Sequence, residues 1–177
     1  MIVLRIVFAA VLMGLSVLIG RAQASKLDCR AKALGDFMAF IRQLEVLIRV
    51  NGRTIPDALQ ECSRRFAGKW TGRFAQTLEE LYGSRTQSSG IWLSALNVMA
   101  KESEEASALS REDREIIGLF GDQLTSADMK SIAENYAFLY GRIGENLQAS
   151  DRDKAVKGRL YNTIGLLAGL AAAIVVI

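Results

Sequence analysis

The chain contains no histidine, one proline and two cysteines among its 177 residues. Without histidine it cannot form a serine–histidine or cysteine–histidine catalytic pair, and it offers no imidazole ligand to a metal. Cys29 and Cys62 lie far apart and no C-x-x-C pair is present, so neither a zinc site nor a disulfide framework is indicated. We therefore predict two free thiols, no metal, no cofactor and a protein that is not an enzyme.

Charge is nearly absent from both ends of the chain. Arg5 is the only charged residue before Arg21, and none follows Arg159. An 18-residue helix rises about 27 Å, close to the roughly 30 Å hydrocarbon thickness of a bilayer. Residues 1–20 and 160–177 are therefore predicted to be transmembrane anchors, with a buried core helix as the less favoured interpretation of the second.

The first apolar segment has a second interpretation. Ala22-Gln23-Ala24 resembles the small-residue site at which a signal peptide is cleaved. Apolar residues nevertheless continue beyond it at steps of three and four, which indicates one helix that leaves the membrane and enters a soluble domain. We favour the uncleaved anchor on this spacing, whose positions are Leu27, Ala31, Leu34, Met38, Ile41, Leu44 and Ile48.

The single proline belongs to the clearest helix junction in the sequence. Asn51-Gly52 ends the first helix, since both residue types tolerate the left-handed conformation of a helix C-cap. Thr54 is placed to cap the next helix, and Pro56 falls in its first turn, where no N–H partner is missed. We predict a helix junction motif of Gly52, Thr54 and Pro56, followed by an apolar face of Ile55, Leu59, Cys62 and Phe66.

Four further helices are predicted between this junction and the last anchor. The third ends at Gly83 and is followed by a polar loop, 84–90, while the KESEEAS run at 101–107 either extends the fourth or forms a linker. Ser110 and Asp113 form a capping box for the fifth. The apolar positions of the third helix are Phe74, Leu78 and Leu81. Those of the fourth helix are Ile91, Trp92, Ala95, Leu96 and Met99, and those of the fifth helix are Ile116, Leu119, Phe120 and Leu124.

The sixth helix is predicted to be capped by Ser126 and to continue toward the C-terminal anchor. Its apolar positions recur at helical spacing: Met129, Ile132, Tyr136, Leu139, Ile143 and Leu147. No segment shows the period-two alternation of a strand. The predicted fold is all-α, a soluble six-helix bundle over residues 21–159 whose first and last long helices run into N- and C-terminal transmembrane helices.

Basic residues flank both anchors on the side of the bundle. They are Arg21, Lys26, Arg30 and Lys32 at the first anchor, and Arg152, Lys154, Lys157 and Arg159 at the second. The positive-inside rule then predicts a two-pass membrane protein with a cytoplasmic bundle. A cleaved signal peptide would instead place the bundle outside the cell as a tail-anchored binding or signalling module.

Basic and acidic residues are unevenly distributed along the predicted bundle. Residues 21–73 hold 11 Lys/Arg and 5 Asp/Glu, whereas residues 74–150 hold 6 and 12. A basic half suits contact with anionic lipid, and the acidic half is the expected docking surface for a protein partner. The basic residues are scattered at helical spacing rather than clustered with aromatics, so no nucleic-acid binding is predicted.

Acidic residues are the only conceivable catalytic groups, and most are interpreted as surface faces. Glu102, Glu104 and Glu105 form a solvated helix end, and the charged run 111–115 forms a solvated helix face. Glu45 differs because it adjoins the apolar stripe of the first helix. A partly buried Glu45 needs a partner, such as Arg42, Arg49 or a capping N–H.

Small residues at spacing four occur in both anchors. Ala10 with Gly14 and Gly165 with Gly169 predict transmembrane packing, because small side chains let two helices approach closely. The anchors then pair with each other or with another membrane protein. Within the bundle, Gly118, Gly121, Gly141 and Gly144 are predicted to permit close helix packing rather than to hold a phosphate.

Taken in order, several short motifs resemble the stage III sporulation protein AB family of endospore-forming bacteria over essentially the whole chain. The residues that carry the resemblance are Leu44-Glu45 with Ile48, Gly52-x-Thr54-Ile55-Pro56 with Ala58-Leu59, Trp92 with Leu96, Phe120-Gly121-x-x-Leu124 with Asp128, and the tail segment 165–170. Thr125 departs from the pattern, since a glycine is expected after the leucine.

The resemblance implies a helical bundle similar to the cytoplasmic domain of type II secretion platform proteins. It also implies a scaffold in the channel between mother cell and forespore, located in the mother-cell membrane around the forespore. The implied partners are other stage III sporulation channel proteins, a cytoplasmic hexameric ATPase, membrane lipid and a second copy of the chain. Which surface binds which partner is left open by the sequence.

Overall fold

The first helix supplies the centre of the core. The computed structural model describes residues 25–83, 90–126 and 129–176. Residues 25–45 are α-helical and continue into a π-helical turn, Val46–Val50; together they form α1. Its buried residues recur at steps of three and four, so one broad apolar face is covered by other helices. They are Ala31, Ala33, Leu34, Phe37, Phe40, Ile41, Leu44, Leu47 and Ile48.

Six more helices follow, and no strand occurs in the described residues. They are α2 (Ile55–Arg65), α3 (Trp70–Gly83), α4 (Ile91–Glu102), α5 (Glu104–Ser107), α6 (Arg111–Ser126) and α7 (Met129–Val176). The predicted all-α class is confirmed, and each of the six expected helices is present. The single-turn α5 is additional.

The acidic segment at 101–107 is divided by Ser103, which neither interpretation of the sequence anticipated. Ser103 has an extended backbone, ends α4 and caps α5, its hydroxyl accepting from the Ala106 N–H at 3.4 Å. Ala106 is buried, and its burial holds the turn against the core. The expectation that Ser126 caps the sixth helix is wrong, because Ser126 is the last residue of α6.

The junction between α1 and α2 forms as predicted. The Asn51 N–H donates to the Val46 carbonyl at 3.0 Å, and Gly52 follows with φ of 63°, a conformation that favours glycine. Thr54 is the N-cap of α2, accepting from the Asp57 N–H at 3.4 Å, and Pro56 lies in the first turn. The π-helical turn was not predicted, since sequence spacing does not separate it from an α-helix.

The chain divides into two compact units. One comprises residues 32–148, and the other comprises residues 1–31 with 149–177. In the described part of the second unit, Lys154 of α7 forms an ion pair with Asp28 of α1. The first unit contains the hydrophobic core.

Aromatic rings occupy the middle of that core. Trp92 stands edge-to-face with Phe74 and with Phe120, each at a centroid distance of 5.5 Å, and Phe120 meets Tyr136 at 5.0 Å. Edge-to-face pairs place the positive ring edge on the negative ring face. These contacts join α3, α4, α6 and α7. Leu119 was predicted to be in this core but is 58% exposed.

Among the residues that the structure describes, no helix is found that is both long enough and apolar enough to cross a bilayer. The predicted anchor at 1–20 and the loop at 84–89 lie outside those residues. The backbone of residues 160–176 belongs to α7. Insertion of these two segments into a membrane stays a prediction.

Candidate functional site

Glu45, at the end of the α-helical part of α1, is hydrogen-bonded to Tyr140 of α7. Its carboxylate accepts a hydrogen bond from the Tyr140 hydroxyl at 2.6 Å and forms an ion pair with Arg49. The side chain is 22% exposed, so it is largely withdrawn from water. The expected partner Arg49 is confirmed. Tyr140 was missed, because nothing local connects residues 95 positions apart.

Two tyrosines on α7 face this region of the core. Burial raises the pKa of Tyr140, and the hydrogen bond and negative charge of Glu45 raise it further. Burial also raises the pKa of Tyr136, with contributions from Tyr140 and Glu45. Both phenols are therefore neutral at pH 7, and Tyr140 acts as a hydrogen-bond donor that links α7 to α1. The Tyr136 hydroxyl is buried without a hydrogen-bond partner among the described residues.

These two tyrosines make a matched test of the link. Tyr140→Phe is expected to lower the free energy of unfolding by about 1–2 kcal/mol, because it removes a bond to a charged acceptor. Tyr136→Phe removes an unpaired buried hydroxyl and is expected to be neutral or slightly stabilising. Urea unfolding of the full chain in a mild detergent, followed by far-UV circular dichroism, measures both. Equal losses in the two variants would contradict the assigned bond.

Cys62 lies on the buried face of α2 and is close enough to Tyr136 to influence its pKa. It is a free thiol, as is Cys29. Burial raises its pKa from 9.0 to about 12, with Glu61 adding to the shift and Arg65 opposing it. Because the thiolate is the reactive form, a buried protonated Cys62 is chemically inert in the native protein at neutral pH.

The raised pKa of Cys62 makes stability depend on alkaline pH. Below pH 9 the thiol is protonated in both states and has no effect. Above pH 9 the unfolded chain loses the proton while the folded chain, with a pKa of about 12, keeps it. Unfolding is thereby favoured, at about 1.4 kcal/mol per pH unit well above pH 9.

Between pH 9 and pH 10, we expect the wild-type chain to lose about 1 kcal/mol more unfolding free energy than Cys62→Ala. The comparison cancels the titration of lysines and tyrosines, which both proteins share. Urea unfolding at the two pH values measures it, and a Cys29→Ala variant serves as the control that keeps Cys62. Identical pH dependence in wild type and Cys62→Ala would show that the pKa of the thiol is the same in the folded and unfolded states.

Asp113 corrects the expectation that residues 111–115 form only a solvated face. Its side chain is fully buried. One carboxylate oxygen accepts from the Ser110 N–H at 2.8 Å, and the other accepts from the Asn146 side-chain amide at 2.8 Å. The Asp113 N–H donates back to the Ser110 hydroxyl at 3.1 Å, which completes the predicted capping box. The cap of α6 is thus also a link to α7.

Glycines allow α4 and α6 to pack closely. A Cβ on Gly121 would overlap the side chain of Trp92, and one on Gly118 would lie 3.5 Å from the Leu93 Cβ. The prediction of close packing is confirmed at Gly121; at Gly118, and at Gly144, whose Cβ would lie 3.8 Å from the Met38 Cε, an added Cβ would make an ordinary van der Waals contact. It is wrong for Gly141, since no described atom outside its own turns of helix lies within 4 Å of the position that its Cβ would take.

An open groove lies along α4 and α6, here named the α4–α6 groove. It comprises two hollows of about 310 and 440 Å³ that share Leu93 and Glu115. Gly90, Gly118, Leu119 and Asp122 complete the smaller hollow; Asn97, Leu109, Arg111 and Arg114 complete the larger. Leu93 and Leu119 are 39% and 58% exposed, so the groove has an uncovered apolar floor.

The structure places the predicted site residues in separate regions. Gly52, Thr54 and Pro56 lie together at the α1–α2 junction, a few residues after Glu45 and Arg49. Gly165 and Gly169 belong to α7, and their packing against a second helix stays a prediction. Ala10 and Gly14 lie outside the described residues. Over residues 25–83, 90–126 and 129–176, no group of three or more Cys, Asp or Glu is arranged to hold a metal.

These features define the chain as an all-α bundle protein in which one buried and one partly buried acidic side chain join different helices. The model of the family described as stage III sporulation protein AB matches residues 5–177. The chain therefore belongs to the stage III sporulation protein AB family, as the sequence motifs predicted, and membership implies a role in sporulation. No curated protein and no solved structure matches the chain.

Proposed function

We propose that the chain is a non-enzymatic membrane platform in the sporulation channel between mother cell and forespore. Two anchors hold it in the mother-cell membrane around the forespore, and its bundle faces the mother-cell cytoplasm. The bundle binds other stage III sporulation channel proteins, including a cytoplasmic hexameric ATPase. Family membership supports the sporulation role, and the channel and its partner proteins are what the resemblance to the family implies.

The observation that carries the proposal is that the acidic side chains largely withdrawn from water are engaged in contacts between helices. Glu45 is held by Arg49 and Tyr140, and Asp113 is held by Ser110 and Asn146. A general acid or base must reach a substrate proton directly or through one water. Carboxylates engaged in this way hold helices in place, and a rigid bundle with an uncovered groove is suited to docking another protein.

The ends of the chain support the membrane part of the proposal. Residues 1–20 and 160–177 carry one charge between them, Arg5, and basic residues follow the first and precede the second. Those flanking cations suit anionic headgroups on the cytoplasmic side.

Co-purification from sporulating cells tests the platform role. A tagged full chain, solubilised in mild detergent, is expected to carry other stage III sporulation channel proteins with it, and extraction from vegetative cells provides the control. A Glu45→Gln variant is expected to assemble normally, because the amide keeps the shape of the carboxylate. Recovery of the chain alone from sporulating cells would refute the platform proposal.

Topology is tested separately. Protease added to inside-out vesicles is expected to digest the bundle, while right-side-out vesicles protect it. Sequencing of the mature amino terminus distinguishes the alternative of an exported module. A start at Ser25 would show cleavage after Ala24 and would refute the two-anchor arrangement.

A further inference from the structure

The π-helical turn that ends α1 has an apolar face in water. Val46 is 44% exposed and Val50 is 77% exposed, and both belong to this turn. Leu47 and Ile48 of the same turn are buried, so its other face lies in the core. π-helical turns are rare and occur frequently at functional sites. The exposed valines therefore mark this end of α1 as a candidate interaction surface.

Three arginines lie beside the two valines. Arg42 is exposed one turn before Val46, and Arg49 lies within the π-helical turn. The Arg53 N–H donates to the Leu47 carbonyl at 3.0 Å, so Arg53 is folded back on the turn. The exposed residues of this region are named the α1 end surface: Arg42, Val46, Arg49, Val50 and Arg53.

The positive charge of the α1 end surface is only partly neutralised by the chain itself. Arg49 is paired with Glu45, which also accepts from the Tyr140 hydroxyl. Among the described residues, Arg42 and Arg53 form no ion pair. The next acidic residue along the chain, Asp57, accepts from the neutral Thr54 hydroxyl at 2.7 Å. The surface also lies in the half of the bundle, residues 21–73, in which basic residues outnumber acidic ones by 11 to 5.

We infer that the α1 end surface binds an acidic segment of a partner protein that also carries apolar side chains. This inference rests on the proposed platform function and names the chemistry of one of its partners. The apolar side chains of the partner cover Val46 and Val50, and its carboxylates lie beside Arg42 and Arg53. A guanidinium suits this role, because it binds a carboxylate through two parallel hydrogen bonds.

The α1 end surface is held in place before a partner binds. Glu45, one residue before the turn, is fixed to α7 by the Tyr140 hydroxyl. The Asn51 N–H donates to the Val46 carbonyl at 3.0 Å and closes the turn. Because the turn is already ordered, binding loses less conformational entropy than the ordering of a loop would.

A bilayer is a poorer occupant, although basic residues also suit anionic lipid. Residues 32 and 50 of α1 are separated by roughly 25 Å of helix. α7 runs antiparallel to α1, since Tyr140 meets Glu45 whereas Gly144 lies opposite Met38. Within the unit of residues 32–148, the chain thus continues toward both predicted anchors from the end opposite to the α1 end surface.

The test uses the full chain in a mild non-ionic detergent and a fluorescent, end-blocked peptide with two leucines at i and i+4 among glutamates. A second peptide replaces every glutamate by lysine, and a third replaces both leucines by serine. Fluorescence anisotropy measures binding, with protein-free micelles subtracted. The first peptide is expected to bind about tenfold or more tightly than either of the others, and raising the salt from about 0.05 to 0.5 M should narrow its advantage over the lysine peptide.

A pair of matched variants tests the apolar part of the surface. Val50→Asn is expected to weaken binding of the glutamate–leucine peptide about tenfold. Val98→Asn makes the same change on α4, at a residue that is 42% exposed, and should leave binding unchanged. Both side chains are exposed, so neither change removes a core contact.

A second pair of variants tests the charge. Arg42→Glu with Arg53→Glu is expected to make the chain prefer the lysine peptide, and binding of that peptide shows that the variant is folded. Arg64→Glu with Arg65→Glu reverses two exposed arginines at the end of α2 and should keep the preference for glutamate.

Hydrogen exchange locates the contact and separates a protein segment from lipid. In nanodiscs of zwitterionic lipid, the glutamate–leucine peptide is expected to slow amide exchange in the segment of residues 46–53. Slowed exchange of the same amides on mixing anionic lipid into the discs, with no peptide present, would make the bilayer the occupant and overturn the inference.

Three other results would also overturn it. They are equal binding of the glutamate and lysine peptides, unchanged binding by Val50→Asn, and a Val50-dependent dimer in sedimentation, which would make the surface a contact between two copies of the chain. The platform proposal fails on a different readout. Peptide binding with no co-purified channel protein would refute the platform and leave the surface assigned, whereas normal co-purification with no peptide binding would do the reverse.

Discussion

Replacing Gly121 with alanine is expected to lower the free energy of unfolding by about 2–3 kcal/mol, although alanine is the better helix former. The new Cβ would overlap the Cβ and ring atoms of Trp92, and these atoms are not the far end of a flexible side chain. Trp92 is itself held by Phe74, Phe120 and Phe40, so it has no free direction in which to move. α4 and α6 must therefore separate.

The matched control is Gly141→Ala on α7. No described atom outside its own turns of helix lies within 4 Å of that Cβ position, so the same chemical change should raise stability by about 0.5–1 kcal/mol. Urea unfolding of the full chain, followed by tryptophan fluorescence, measures both variants, since Trp70 and Trp92 are buried. A Gly121→Ala protein as stable as Gly141→Ala would show that α4 and α6 do not meet at this glycine.

Replacing Asp113 with alanine is expected to cost about 3 kcal/mol of unfolding free energy, because two partly buried donors lose their buried acceptor and α6 loses part of its cap. The donors are the Ser110 N–H and the Asn146 amide. The Asp113 side chain is fully buried, and both donors are partly buried. The loss should also weaken the contact between α6 and α7, through which Phe120 meets Tyr136.

The equivalent change at the other capping pair provides the control. Thr54 and Asp57 have the same spacing at the start of α2, but both are exposed. Asp57→Ala is therefore expected to cost less than about 1 kcal/mol, as water replaces the lost bonds. Thermal unfolding followed by far-UV circular dichroism compares the two. Similar losses at Asp57 and Asp113 would mean that burial and the link to Asn146 add nothing to a local cap.

The sequence by itself determined the six longer helices, the capped starts of α2 and α6, and the family. Each of these depends on residues within a few positions of one another: the apolar spacing along α1, the left-handed Gly52, and the capping pairs Thr54–Asp57 and Ser110–Asp113. The chain pays little loop-closure entropy for such contacts, so the local pattern decides them. The order of the motifs was sufficient to predict membership of the stage III sporulation protein AB family.

Only the tertiary structure decided which of these residues face other helices. The two capping pairs look alike in sequence, yet Asp113 is buried against Asn146, 33 positions away, while Asp57 faces water. Glu45 receives its phenol donor from 95 positions away, and Leu119 is exposed although its spacing placed it with the core. The reason is that a side chain is buried only where another helix covers it. Which helix covers it depends on contacts between residues far apart in the sequence, and the local spacing of apolar residues does not encode those contacts.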